Sequence, residues 1–229
     1  MGYRVADAVT LALGLPLLVV SLLLYRRGSL KGGLMLTGLL AYLLYNYGSL
    51  AFGAAYNNLF LVYLAIFSAS LFALVIALRA IDADTLVAHL SPRLPLRAIG
   101  IYLIVSGMAL CVLWIGLSII PALLQNQAPP ELAHYTTVIT FVVDLAIIAP
   151  ALIVAGILLL RRAPLGYLLA STLLVFTDAL GISLIAMGLT QRQAGLMSIG
   201  QFIGFVVSFA ILTLFALWLT VVLFRNVSE

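Results

Sequence analysis

Two aspartates stand inside otherwise apolar sequence: Asp144 in Phe141-Val142-Val143-Asp144-Leu145-Ala146-Ile147, and Asp178 in Leu174-Val175-Phe176-Thr177-Asp178-Ala179-Leu180. No basic residue is near either. An aspartate at the centre of a membrane helix costs about 2.5–3.5 kcal/mol to insert. Each must therefore face protein or water and find a partner there. An acid held in that way can bind a cation or take up and release a proton.

Other polar groups share faces with them. Thr137, Thr140 and Asp144 follow i, i+3, i+7, and Ser171 lies seven residues before Asp178. Ser198, Gln201 and Ser208 follow i, i+3, i+10. Tyr42, Tyr45, Ser49, Phe52 and Tyr56 follow i, i+3, i+7, i+10, i+14, with Asn46 beside them. Such spacings draw single stripes on a helix of 3.6 residues per turn. Asp144, Asp178, Asn46, Gln201, Tyr42, Tyr45 and Thr140 are thus the candidate lining of a substrate or ion pocket. The plainer reading is interhelical hydrogen-bond glue, which Ser, Thr, Asn and Gln commonly supply in membranes. Acids are costlier to bury than amides, which favours a functional role for the two aspartates.

The elements that position these residues are apolar spans. The chain of 229 residues is 65% hydrophobic and 8% charged, with mean hydropathy +1.28. A soluble domain could not bury so much apolar surface, so the partner is the lipid bilayer. Stretches of about 20 apolar residues, the length that crosses a bilayer, fall near 5–24, 32–53, 59–78, 99–124, 136–160, 165–188 and 196–224. The expectation is an all-α, seven-helix bundle forming one integral membrane domain. Arg4 is a thin basic start, and the first run ends at Tyr25-Arg26-Arg27 rather than at a cleavage site. It reads as a retained helix, not a signal peptide.

Charge sets the expected orientation. Of the 11 Lys and Arg residues, Arg26, Arg27, Lys31, Arg79, Arg93, Arg97, Arg161, Arg162 and Arg225 fall on one side. Only Arg4 and Arg192 fall on the other. Lys and Arg accumulate on the cytoplasmic side, so the N-terminus is expected outside and the C-terminus inside, in a prokaryotic inner (plasma) membrane. The Asn226-Val227-Ser228 sequon then faces the cytoplasm and is no glycan acceptor. Counted from the outer helix ends at 1.5 Å per residue, Asp144, Asp178, Asn46 and Gln201 all lie about 7–15 Å deep. That places the pocket in the outer half. Pro150, six residues after Asp144, should kink its helix and free carbonyls beside the acid.

An internal repeat is also legible. At an offset of 135, Leu23-Leu24 falls on Leu158-Leu159, Leu30 on Leu165, Leu34 on Leu169, Thr37 on Thr172, Leu39 on Leu174, Ala51 on Ala186 and Gly53 on Gly188. Spans one to three would repeat as five to seven, with span four as linker: a 3+1+3 layout about an axis along the membrane normal. The longest inner connection, 79–97, is expected to hold a short helix capped by Asp82 or Asp84, with Leu86, Val87 and Leu90 resting on the membrane. Tyr3, Tyr25, Tyr56 and Tyr167 read as an interfacial belt.

Several chemistries find no support. His89 and His134 lie on opposite sides, so no metal site is expected, and Cys111 is the only cysteine. No Walker loop or His-Glu-x-x-His is present, and no cofactor is expected. Lys31, the only lysine, sits in a loop, which argues against a retinal Schiff base. An intramembrane enzyme lacks a nucleophile–base pair. The basic residues form no contiguous patch for nucleic acid. SWEET and PQ-loop transporters share the three-one-three layout, but the chain has no Pro-Gln pair, so that likeness is architectural.

The segment Leu44-Tyr45-Asn46-Tyr47-Gly48, Ala51-Phe52-Gly53, Asn58-Leu59-Phe60-Leu61 and Tyr63 resembles one in multi-pass membrane proteins of prokaryotes whose function is not established. That resemblance implies a membrane protein and no particular activity. Two functions therefore compete. One is a small transporter or proton/ion-coupled permease acting on a small molecule or ion. The other is a non-enzymatic sensor or assembly subunit that docks a membrane partner or a second copy, its polar residues being structural.

Overall fold

A computed structural model describes residues 2–132 and 137–228, with side chains from Val5 onward except Pro130. His134, the expected helix start at Thr136, and the side chains of Tyr3 and Arg4 lie outside the described set. Among the described residues there are seven helices long and apolar enough to cross a membrane. They are α1 (Val5–Arg26), α2 (Leu30–Gly53), α3 (Phe60–Ala80), α5 (Leu96–Leu124), α6 (Ile139–Leu160), α7 (Pro164–Gln193) and α8 (Ile199–Arg225). A short helix, α4 (Ala83–Ala88), joins α3 to α5. The described residues are all-helical, and seven apolar helices suit a multi-pass membrane protein in contact with the lipid bilayer.

Helix starts follow their capping chemistry. The Ser29 side chain accepts from the Gly32 N–H at the head of α2. Ser198 and Gln201 form a reciprocal capping box on α8, and Pro164 opens α7. Each supplies a partner for, or removes, an N–H that the first turn leaves unpaired. α7 outruns its expected end at Gly188 because Thr190, Gln191, Arg192 and Gln193 continue the helix as a polar extension. The Arg192 guanidinium then reaches the Met197 carbonyl across the turn.

α2 and α7 form the centre. Each is far more buried than the outer spans, which present exposed apolar side chains to lipid. The two run parallel and touch where Thr37 and Thr172 bring their hydroxyls to 2.9 Å. Gly38 permits that approach. A Cβ there would overlap the Val175 side chain and sit 2.8 Å from the Thr172 carbonyl oxygen. α1 and α3 pack on α2, while α6 and α8 pack on α7. The start of α1 crosses to α7, and the start of α6 crosses to α2. α5 packs along α6, where Gly100 faces the Gly156 carbonyl oxygen and Gly107 faces the Ala149 carbonyl oxygen. Small residues at such crossings let backbones approach closely.

The α1–α2 and α6–α7 hairpins are built alike. Gly28 (φ 88°) and Arg162 (φ 57°) both end their helices in the left-handed region. The next residue in each, Ser29 or Ala163, donates its N–H to Leu24 or Leu158. Gly32 packs against the backbone at Tyr25, and Gly166 against that at Leu158-Leu159. These pairs correspond at a spacing one residue shorter than the 135 separating Thr37 from Thr172.

Three spans widen into π turns: Thr10–Gly14 in α1, Val112–Ile119 in α5 and Asp144–Ile148 in α6. Each runs up to within two residues of an in-span proline: Pro16, Pro121 and Pro150. A proline lacks an N–H and its ring crowds the carbonyl four residues back. One extra residue in the turn relieves that clash. The residue before each proline bonds five back instead: Leu15 to Thr10, Ile120 to Ile115, Ala149 to Asp144. The break expected at Pro150 thus takes the form of a π turn. The Asp144 carbonyl accepts from Ala149.

On the face carrying Arg26, Arg79, Arg161 and Arg225, α4 is capped by Asp82, which accepts from the Thr85 N–H at 2.8 Å and the Thr85 hydroxyl at 2.5 Å. The Thr85 hydroxyl, and then the Thr85 and Asp84 backbone N–H groups, hold the Asp82 carboxyl below the ordinary aspartate range. Leu86 does not rest on lipid as expected. It is fully buried, and with Ile81, Leu94 and Val227 it joins a core that runs through Leu34, Ile99, Leu159 and Leu223. A leucine that finds a protein cavity at the bundle end is shielded from headgroup water, which the membrane surface does not offer. Tyr167, expected in the interfacial belt, is likewise buried in this core.

Candidate functional site

Asp144 sits in the π turn of α6 and is buried. Its Oδ1 accepts from the Tyr45 hydroxyl of α2 at 2.9 Å. Its Oδ2 accepts from the indole Nε1 of Trp114 at 2.8 Å. Trp114 belongs to the π turn of α5, so two widened turns meet at one carboxylate. Phe141 lies 4.7 Å from the Trp114 ring, and Phe176 of α7 stands edge-on to Tyr45 at 5.7 Å. Asp144 therefore ties α2, α5 and α6 together beside α7. Both of its oxygens are engaged by fixed donors within an aromatic wall.

Asp178 is built differently. It lies near the middle of α7, buried, and its Oδ2 accepts from the Thr220 hydroxyl of α8 at 2.6 Å. Its Oδ1 is buried and has no hydrogen-bond partner among the described residues. Tyr102 of α5 lies within electrostatic reach and donates its hydroxyl to the Leu212 carbonyl at 3.3 Å. Gly181, three residues on, gives Thr213 room, since a Cβ there would overlap the threonine hydroxyl. A carboxylate oxygen enclosed without a donor is costly unless something else fills that position.

The two acids share no hydrogen-bond partner. Their levels compare through the parallel central helices. Above the Thr37–Thr172 contact, Asp178 lies about 9 Å up α7 and Tyr45, which holds Asp144, about 12 Å up α2, at 1.5 Å per residue.

The other expected residues divide. Tyr42 is buried and hydrogen-bonds the Thr10 hydroxyl of α1 at 3.1 Å. Asn46 is half-buried, and its Nδ2 is enclosed without a partner among the described residues, as is the Ser49 Oγ one turn on. Thr140 is half-buried one turn before Asp144. Thr137 is exposed in a bend ahead of α6, outside the stripe counted for it. Gln201 is exposed at the head of α8, its side chain engaged by the Ser198 N–H at 3.0 Å. A glutamine three residues after a serine N-cap is drawn to that N–H, and the helical stripe alone does not reveal the competition.

Sequence reasoning missed four participants. Trp114 and Thr220 are single polar atoms on apolar spans, and helical spacing links neither to an acid on another helix. Thr10 lay in a run read only for hydropathy. Asp7, which lies close to the Tyr47 hydroxyl, is three residues before Thr10 in α1. Asp7 carried a usable signal, because it too is an acid inside an apolar helix. Compared with family models, with curated proteins and with solved structures, the chain matches none of them.

Proposed function

We propose that the protein is a small proton- or cation-coupled permease in which Asp178 is the exchanging acid and Asp144 the anchored one. The observation that carries this reading is the buried Asp178 Oδ1 with no partner among the described residues. An acid serving as glue is expected to look like Asp144, with both oxygens taken. An acid that releases and rebinds a proton or cation needs an oxygen left free for it. Asn46 Nδ2 and Ser49 Oγ, also enclosed and unpaired, mark polar positions that water can occupy along α2. In this reading Tyr45 meets Asp144 directly, Tyr42 and Thr140 lie within about a turn on either side of that contact, and Gln201 is left to its cap.

The wider proposal is one membrane domain with its N-terminus outside and C-terminus inside, on the asymmetry of Lys and Arg among the loops. Its halves are α1–α3 and α6–α8, related about the membrane normal with α5 between them. The paired hairpins, the Thr37–Thr172 contact and the reciprocal crossings of α1 and α6 support that arrangement. The opposing reading is a sensor or assembly subunit. It draws support from Leu86, which plugs the 79–97 connection into the bundle core and gives that loop a mechanical link to the spans.

Flux separates the two readings. Purified protein in liposomes under an imposed pH gradient should show proton-linked flux that Asp178→Asn abolishes, because an amide cannot exchange a proton at accessible pH. Asp178→Asn should remain folded, since Oδ1 has no donor that an amide nitrogen would displace. Unchanged flux in Asp178→Asn removes the acid from the mechanism. A parent protein silent under proton, sodium and potassium gradients favours the sensor reading.

A further inference from the structure

The basic face carries a groove that the proposed transport path does not use. It has a volume of about 360 Å³ and lies between His89–Arg93 and the segment that follows α8. Its walls are fixed by backbone. Leu90 and Val227 form an antiparallel bridge, Ser91 N–H donates to Asn226 O at 2.9 Å, and Ser228 N–H donates to His89 O at 2.8 Å. Most of its polar side chains are already engaged. Asn226 Nδ2 donates to Val222 O, Ser228 Oγ to His89 O, and His89 Nδ1 is 2.8 Å from Thr85 O. The groups left to face a ligand are the exposed guanidiniums of Arg93 and Arg225 and the far nitrogen of His89. No hydrogen bond or ion pair to either guanidinium is present among the described residues. Two such forks in one concavity suit the oxygens of a phosphate.

The helix leading into the groove indicates which phosphate. Arg225 ends α8, at headgroup level for a membrane span. Leu214, Trp218, Val221 and Arg225 follow i, i+4, i+7, i+11 and so form one stripe down that helix. The three apolar members are 66%, 51% and 46% exposed. A free anion would use the groove and ignore the stripe. A phospholipid uses both: phosphate between the arginines, acyl chain along Val221, Trp218 and Leu214. A choline head would bring a quaternary ammonium beside two guanidiniums, whereas a glycerol head adds no positive charge. We propose that this groove binds an anionic phospholipid headgroup, with the acyl chain lying on the exposed stripe of α8. Basic pockets beside membrane helices hold such heads through the same contacts.

Native mass spectrometry of the purified full chain tests this, with phosphatidylglycerol or phosphatidylcholine added at equal concentration. The parent should retain phosphatidylglycerol at least fivefold over phosphatidylcholine. Arg93→Gln/Arg225→Gln should lose that preference, and Arg93→Gln alone, in an exposed loop outside the spans, should lose part of it. Arg26→Gln/Arg27→Gln, which removes equal charge from another loop of the same face, should keep it. In bilayers, phosphatidylglycerol with brominated chains should quench Trp218 more than brominated phosphatidylcholine does, and the double variant should abolish the difference. Equal retention of both lipids by the parent overturns the proposal, as does loss of preference in the Arg26/Arg27 variant to the same degree. Displacement of phosphatidylglycerol by millimolar inorganic phosphate would make this a site for a soluble anion and would also overturn it.

Discussion

Asp144→Asn should destabilise the protein, and the two donors on its carboxylate set the size of the effect. The carboxylate accepts from Tyr45 on one oxygen and from Trp114 on the other. An asparagine keeps one acceptor. Its Nδ2 then faces the Tyr45 hydroxyl, which must turn to accept instead of donate. Both charge-assisted hydrogen bonds are thus lost, each replaced by a weaker neutral one, and the hydroxyl hydrogen loses its acceptor. Losing a hydrogen bond to a charged group costs about 1.5–3 kcal/mol in water-soluble proteins. Polar contacts between membrane helices measure lower, on average about 0.6 and at most about 1.7 kcal/mol, because the unfolded chain also finds partners in the membrane. The expected cost is about 1–2 kcal/mol, read from unfolding in mixed micelles titrated with SDS. Tyr45→Phe leaves Oδ1 without its donor and should cost a similar amount. Asp144→Val combined with Tyr45→Phe should cost clearly less than the sum of Asp144→Val and Tyr45→Phe made singly, because the hydroxyl and the acceptor it donates to are then removed together. Additivity within about 0.5 kcal/mol, or an Asp144→Asn variant as stable as the parent, would refute the reasoning.

The same assay reaches the central crossing: Gly38→Ala forces a methyl into Val175 and should cost about 1–3 kcal/mol, while Gly204→Ala, with nothing within 4 Å of its Cβ position, should cost little. At the hairpin ends, Gly28→Ala should lose about 1 kcal/mol and Arg162→Gly should gain up to about 1 kcal/mol, because both positions have positive φ. The Asp82 cap should be pH-sensitive in hydrogen exchange. Its carboxyl is held below the unfolded value of about 3.9, so the protection it gives the α4 amides is full above about pH 4 and fades as pH falls through the depressed folded value. Asp82→Asn should cap without that dependence, and Asp82→Ala should leave the amides poorly protected at every pH.

The spans were legible because hydrocarbon imposes a length and a composition that a single sequence displays. Their bounds shifted by a few residues, outward where the polar end of α7 stayed helical and inward at the starts of α3 and α8. What pairs with what was less legible. Thr37 and Thr172, aligned as repeat partners, touch through their hydroxyls. That contact is visible in sequence only if the halves are assumed to meet at their own equivalents. Gln201 misled because a helical stripe counts faces and ignores the N–H groups that a helix start leaves open. Trp114 was invisible for a deeper reason. Its meeting with Asp144 depends on two π turns, each set by a proline downstream, and each adds a residue that a period of 3.6 does not contain. The stripe through Thr137, Thr140 and Asp144 fails at Thr137, which lies outside the helix.

The three in-span prolines thus do more than bend their helices. Each π turn holds a side chain that ties its span to another: Thr10 to Tyr42, Trp114 to Asp144, and Asp144 to Tyr45. Replacing Pro150 with alanine restores an N–H and removes the crowding at the Ala146 carbonyl, so the turn at 144–148 can relax to an ordinary α-helix. Dropping the extra residue rotates Asp144 by about one residue's turn, 100° at 3.6 residues per turn, relative to the helix that follows it. Pro150→Ala should therefore release the indole of Trp114, and its fluorescence should shift relative to the parent while Trp218 stays unchanged. The same shift should appear in Asp144→Val, which removes the acceptor and leaves the proline. A Pro150→Ala protein with parental Trp114 emission, beside an Asp144→Val protein whose emission moves, would mean that the π turn persists without the proline. The acid, rather than the ring, would then be what holds it open.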